Sequence, residues 1–257
     1  MRIETVPVSG DNYAYLVICT ESGRAAAVDP ADAGAVARRL EQIGARLAAI
    51  WCTHHHGDHT GGNRALLELV GGCPVYGHAQ DAGRIPGITD AVEHGAVLEL
   101  GKLEAQVLHT PGHTRGSACY RVGDALLTGD TLFAAGCGRL FEGDPATMFR
   151  SLHEVIRPLP PQTRIFCGHE YTEKNLDFAW GVEPESPALR RRIDAVHAQR
   201  RRGEPSVPFT LEEELATSPF LRCESPEIIE TLERIHALAD RSPLGVFTRL
   251  RELRNAY

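Results

Sequence analysis

The sequence predicts an α/β protein in two parts, a layered β-rich unit followed by a smaller helical one. Short β-prone runs punctuated by Gly, Pro and Asp occupy residues 1 to about 172, and helical stretches alternate with some of them. After Thr172 the alternating pattern gives way to helical periodicity as far as Tyr257. The expected units are therefore residues 1–172, a β-rich catalytic layer structure, and 173–257, a helical appendage.

Short β-rich runs bounded by Gly, Pro and Asp predict strands over Arg2 to Pro7, Tyr13 to Thr20, Arg24 to Val28 and Ala48 to Cys52. The same signal recurs over Val97 to Leu100, Leu103 to His109, Ser117 to Val122, Ala125 to Thr128 and Arg164 to Cys167. Asp29-Pro30 followed by Asp32 reads as a capped helix start with proline at the first position, running to Ile43. Thr60 is expected to cap a helix over Gly62 to Val70, and Ala146 to Ile156 forms a third. Later helices are predicted over Thr172 to Val182, Pro187 to Arg202, Leu211 to Ala216, Pro226 to Leu238 and Leu244 to Arg254.

Charge narrows the function classes. Lys and Arg total 27 against 34 Asp and Glu, a net −7, which excludes a chain whose main business is to coat nucleic acid or an anionic membrane. The seven cysteines are odd in number and scattered without a C-x-x-C, so free thiols in a reducing cytoplasm are expected rather than a disulfide framework or a thiolate zinc knuckle. No basic-then-apolar leader opens the chain and no 18-residue apolar run occurs, so neither a signal peptide nor a membrane span is expected. Nothing in the pattern requires more than a monomer.

The twelve histidines against two lysines mark where the chemistry lies. Thr53-His54-His55-His56-Gly57-Asp58-His59 follows the apolar run Leu47 to Cys52. If that run is a strand, His54 and His56 leave its end on one face, spaced to chelate one metal. A sharp turn at Gly57 would then let Asp58 and His59 face a second ion. Four donors exceed the three protein ligands that one catalytic zinc needs, so the run predicts a two-metal site. His113, Asp130 and His169 also follow β-like runs and are candidates to complete it. Asp29 has two readings, a supporting acceptor for the metal loop or a helix cap.

H-x-H-x-D-H followed by separate His, Asp and His positions resembles the metallo-β-lactamase superfamily, which implies an αββα sandwich with a two-metal site at one sheet edge. Gly168-His169-Glu170-Tyr171-Thr172, Gly136 to Gly143, Thr210 to Glu214 and Ser218 to Arg222 are similar to the glyoxalase II family, and the matches extend from Asp11-Asn12-Tyr13 to the last helix. The resemblance implies that His54, His56 and His113 bind one metal, that Asp58, His59 and His169 bind the other, and that Asp130 bridges them. Zinc is the first expectation, with iron or manganese as alternatives. It further implies hydrolysis of S-D-lactoylglutathione to D-lactate and glutathione by a bridging hydroxide, with Asp58 and Asp130 catalytic through it. A thiolate leaving group, with a free pKa of roughly 8.5, needs no dedicated general acid.

For the glutathione half the resemblance implies Arg139, Tyr171, Arg251 and Arg254, with Phe141 as a wall. The family commonly has lysine at positions 139 and 254 and often a tyrosine at 141; here Arg keeps the charge and Phe loses a hydroxyl. The segment from Arg241 to Tyr257 holds four Arg against Glu252 alone. The run from Arg190 to Arg202 is expected to be a solvated helix without a site, His55 to point away from the metals, and His109 to be structural. A glutathione persulfide dioxygenase or a lactonase of the same superfamily, and a non-catalytic metal-dependent binding module, are the alternatives. No export signal supports a β-lactamase, and no basic arm supports a nuclease.

Overall fold

The computed structural model describes residues 1–257. Strands β1 (Arg2–Val8), β2 (Asn12–Cys19) and β3 (Arg24–Val28) lead into α1 (Ala33–Ile43), β4 (Arg46–Trp51), the single turn α2 (Gly57–Thr60) and α3 (Asn63–Val70). Then follow β5 (Val75–His78), β6 (Asp90–Val92), β7 (Val97–Leu100), β8 (Leu103–His109), β9 (Ala118–Val122), β10 (Ala125–Gly129), β11 (Leu132–Phe133) and β12 (Gly136–Cys137). The rest comprises α4 (Pro145–Arg150), β13 (Arg164–Cys167), α5 (Thr172–Val182), α6 (Pro187–Arg201), β14 (Phe209–Thr210), α7 (Leu211–Thr217), α8 (Pro226–His236) and α9 (Pro243–Ala256).

Two six-stranded sheets, ordered β1-β2-β3-β4-β5-β6 and β14-β13-β10-β9-β8-β7, form the sandwich. Strand β2 shows why they stack. All eight of its residues are buried, and alternate side chains enter different cores. Tyr13, Tyr15 and Val17 meet Tyr120, Leu126 and Phe166 between the sheets, whereas Ala14, Leu16 and Ile18 pack with Val36, Leu40 and Leu66 of α1 and α3. Phe178, Phe220 and Phe247 carry the central core on into the C-terminal helices. Strand β14, from that helical part, pairs with β13 and closes the sheet edge.

Several local expectations change. Asp32, not Asp29, caps α1, accepting from Ala35 N at 2.9 Å, so Pro30 precedes the cap instead of occupying the first helical position. Gly57 opens the turn α2 rather than a sharp bend, Thr60 lies inside that turn, and α3 starts at Asn63 without a side-chain cap. The third helix is capped by Asp144 and widens into a π-type turn over Ser151–Ile156. The basic run is not all solvated: Arg192 is buried and ion-pairs with the buried Glu214 at 2.5 Å. Strands β5, β6, β11, β12 and β14, which the sequence does not mark, have two to four residues each and are held by the strands they pair with.

Candidate metal centre

The loops that leave β3, β4, β8, β10 and β13, joined by the start of β2, converge at one edge of the sandwich. His54 Nε2 lies 3.0 Å from His56 Nδ1, which lies 3.1 Å from His113 Nε2. Beside this triad, His59 Nε2 is 3.3 Å from His169 Nε2, and Asp58 Oδ2 is 3.5 Å from that same nitrogen. Asp130 sits between the sets, with Oδ2 3.5 Å from His113 Nε2 and 3.4 Å from His169 Nε2, and Oδ1 3.3 Å from His59 Nε2. All seven predicted residues therefore meet. His55 does not join them: its Nδ1 is 2.9 Å from Asp81.

Donor spacing and tautomers both fit divalent ions. Four ligands at about 2.0 to 2.1 Å around a tetrahedral ion stand roughly 3.3 Å apart, which is the separation seen here. His59 Nδ1 donates to Asp29 at 2.9 Å, His113 Nδ1 to the Arg139 carbonyl at 2.8 Å and His169 Nδ1 to Asp11 at 3.0 Å. Thr53 Oγ1 donates to Asp29 at 2.6 Å and so accepts from His54 Nδ1 at 3.0 Å. With outer nitrogens protonated, the Nε2 lone pairs of these four imidazoles point inward. Asp130 Oδ1 is buried and lacks a hydrogen-bond partner, as a vacant ligand oxygen would. Glycine keeps the cradle open, because a Cβ at Gly168 would strike Asp130 and His59.

Electrostatics separates the two sets. Burial pushes His54 and His113 down and, with the neighbouring His113 and His55, takes His56 to about 4, so this triad is neutral at pH 7. Burial opposes charge on His59 and His169, but Asp130 beside both outweighs it and raises them. Burial would likewise raise Asp130, yet the adjacent His59 and His169 hold it well below the usual carboxylate range. The second set thus favours positive charge beside its carboxylate, which a divalent cation bound there would supply.

His56, Asp58, His113, Asp130 and His169 line a cavity of about 860 Å³. Its other lining residues include Arg139, Phe141, Tyr171, Lys174, Arg251, Arg254 and Tyr257, so all five predicted substrate contacts face it.

The sequence model described as the metallo-beta-lactamase superfamily matches residues 9–169, and that described as hydroxyacylglutathione hydrolase C-terminus matches residues 170–257. A hydroxyacylglutathione hydrolase of Methylococcus capsulatus is 52% identical over 89% of this chain and 89% of its own length. The chain belongs to the hydroxyacylglutathione hydrolase family. A relative from Arabidopsis thaliana named hydroxyacylglutathione hydrolase cytoplasmic is 43% identical, covering 99% of this chain and 97% of its own. Among solved structures, ETHE1 from Myxococcus xanthus superposes with a TM-score of 0.69 at 25% identity, over 100% of this chain and 99% of that one.

In this member of the hydroxyacylglutathione hydrolase family the cationic wall is built from both parts of the chain. Arg251 is buried, donates to the Cys137 carbonyl at 2.7 Å and stands over the Phe220 ring at 5.4 Å. Arg254 donates to Asn175 Oδ1 at 3.2 Å, and Asn175 Nδ2 donates to the Ala134 carbonyl at 3.0 Å, which ties α9 to the β11–β12 hairpin. Arg241 and Arg249 do not reach the wall, being paired with Glu233 and Glu252. Phe141, 63% exposed, sets its ring edge-on to His56 and His113 at 5.6 and 5.3 Å. Tyr171 stacks on His169 at 4.7 Å, and burial with the Asp11 charge raises its phenol to about 12, so it remains a donor.

Sequence reasoning missed Asp11, Asn12, Lys174, Asn175 and Tyr257. Asn12 Nδ2 donates to the Asp58 carbonyl at 2.9 Å and to Asp58 Oδ2 at 3.2 Å. Asp11-Asn12 at the start of a buried strand was the available signal. Asp29 supports the metal loop, as the first of its two readings had it, and caps no helix.

Proposed function

We propose that this chain hydrolyses S-D-lactoylglutathione to D-lactate and glutathione at a centre of two divalent ions, zinc foremost. One observation carries the reading: a two-set His and Asp cluster and a cationic wall share a single cavity of about 860 Å³. His54, His56 and His113 hold one ion, Asp58, His59 and His169 the other, and Asp130 turns an oxygen toward each set. Bound there, the ions supply Lewis acidity for the acyl carbonyl and a nucleophilic water at neutral pH.

The chain's own groups orient and bind. Asp11, Asp29, Thr53 and the Arg139 carbonyl lock imidazole tautomers, so the ligand lone pairs stay aimed while substrate enters. Arg139, Lys174, Arg251 and Arg254 neutralise the two carboxylates of glutathione, and Tyr171 offers a hydroxyl. The thiolate departs without a protein acid, its free pKa being about 8.5. Residues 1–172 act as the catalytic unit and 173–257 as the substrate-binding one. We read the protein as a cytoplasmic monomer; its seven cysteines are unpaired, and no helix is long and apolar enough to cross a membrane.

Assaying the metal-loaded protein against S-D-lactoylglutathione, an acyl-homoserine lactone and glutathione persulfide tests the reading. Preferred turnover of the thioester is expected. Turnover of either rival with no thioester hydrolysis overturns it.

A further inference from the structure

Resting on the ligand reading above, we propose that Asp81 is the positioning residue that holds His54, His56 and His113 in register with one another. Asp81 ends the short turn after β5, outside the seven predicted ligands, and is fully buried. Its Oδ2 accepts from the His55 backbone N–H at 3.1 Å, from His55 Nδ1 at 2.9 Å and from Thr114 Oγ1 at 3.2 Å. Its Oδ1 accepts from Arg84 Nη2 at 2.6 Å. A side chain at Gly116 would run into the same carboxylate, so the loop after β8 is shaped to receive it.

His55 stands between His54 and His56 in the chain, and Thr114 follows His113. One oxygen atom thus grips both loops that must meet to form the triad, one residue away from each donor. Asp29 does the corresponding work for the other set through His59. Asp29 also reaches His54 through Thr53, but of the two carboxylates it is Asp81 that ties the His54–His56 loop to the His113 loop.

Asp81→Asn keeps the shape but cannot satisfy both sides. If the amide oxygen faces His55 and Thr114, its NH2 confronts the Arg84 guanidinium; turned over, it confronts three donors. Thr114→Val removes the link from Asp81 to the His113 loop, together with the contact of the same hydroxyl to Ser117 Oγ at 2.9 Å. The test is a competing-chelator titration of each holoprotein, with bound metal counted per chain and the melting temperature of the metal-free form measured alongside. Wild-type protein is expected to hold two equivalents. In Asp81→Asn one equivalent is expected to leave at about tenfold lower chelator concentration, in line with the 10- to 100-fold losses on removing partners that orient ligands, while the second keeps its midpoint. Thr114→Val shifts the same equivalent less.

Both equivalents holding at wild-type midpoints in a folded variant overturns the proposal, as does equal weakening of both that merely tracks a lower melting temperature. Should Asp81→Asn not fold, Thr114→Val decides by the same criteria. Wild-type protein that binds fewer than two equivalents overturns the ligand reading itself, and is told apart because no variant is needed to see it.

Discussion

Asp29 Oδ2 lies 2.9 Å from His59 Nδ1 and 2.6 Å from Thr53 Oγ1, so one buried carboxylate fixes the protons of two imidazoles, His59 directly and His54 through Thr53. Replacing it with asparagine puts an amide where a carboxylate accepted both hydrogen bonds. Asp29→Asn is expected to weaken metal retention roughly 10- to 100-fold, measured as metal per chain after dialysis against chelator. Wild-type retention in the folded variant would show that His59 is oriented by something else.

Arg254 bears on substrate rather than on metal. It is half-buried, faces the cavity and is aimed by Asn175. Arg254→Ala is expected to raise KM for S-D-lactoylglutathione roughly 10- to 100-fold, the worth of a charge-assisted hydrogen bond of about 1.5 to 3 kcal/mol, with kcat little changed. A fall in kcat at constant KM would place Arg254 in the chemical step instead. Asn175→Ala is expected to give a smaller rise in the same direction.

Phe141 offers an aromatic edge and no hydroxyl beside His56 and His113. Phe141→Tyr is expected to lower KM about 2- to 10-fold, the return of one hydrogen bond worth about 0.5 to 1.5 kcal/mol. Steady-state kinetics of the single variant decide it, since an unchanged KM means that the added hydroxyl meets only water.

Glu170 couples acid stability to the joint between strand β2 and the segment after α6. It accepts from Tyr13 Oη at 2.8 Å and from Ser206 N and Oγ at 2.7 and 2.5 Å, with Arg200 3.4 Å away. Burial alone would raise its carboxyl, but the hydrogen bonds from Ser206 and Tyr13 bring it below its ordinary 4.5. A depressed carboxyl stabilises the fold above the unfolded value and loses that contribution as pH falls through the folded one. Glu170→Gln is therefore expected to cost about 1 to 3 kcal/mol at pH 7, with the gap to wild type closing below about pH 4. Urea unfolding at both pH values checks this; a gap that widens in acid has the wrong sign.

How far the sequence was legible depended on whether a signal was local. H-x-H-x-D-H announces itself within six residues, and His113, Asp130 and His169 could be picked out because each follows a readable strand. The long strands β2 and β8 carried enough β-prone apolar sequence to be placed within a residue or two. By contrast, β5 is fixed by its parallel neighbours β4 and β6, and β11–β12 by a turn whose Ala135 N–H is held by Glu214, 79 residues away. Asp81 was invisible for the same reason: its meaning lies in contacts to His55 and Thr114, 26 and 33 residues distant, and a lone Asp after a short strand has no spacing to give it away. Arg192 read as one more solvated charge because its partner Glu214 lies on another helix.

The central claim is that the two-set cluster and the cationic wall act together on one glutathione thioester. The most direct measurement follows D-lactate and free thiol released from S-D-lactoylglutathione by the folded protein, first metal-replete, then stripped by chelator, then restored with two equivalents of a divalent ion. Equal release of both products, loss of turnover on stripping and recovery on restoration are the predicted result. No thiol release from the replete protein, or an undiminished rate after the metal is gone, would contradict it.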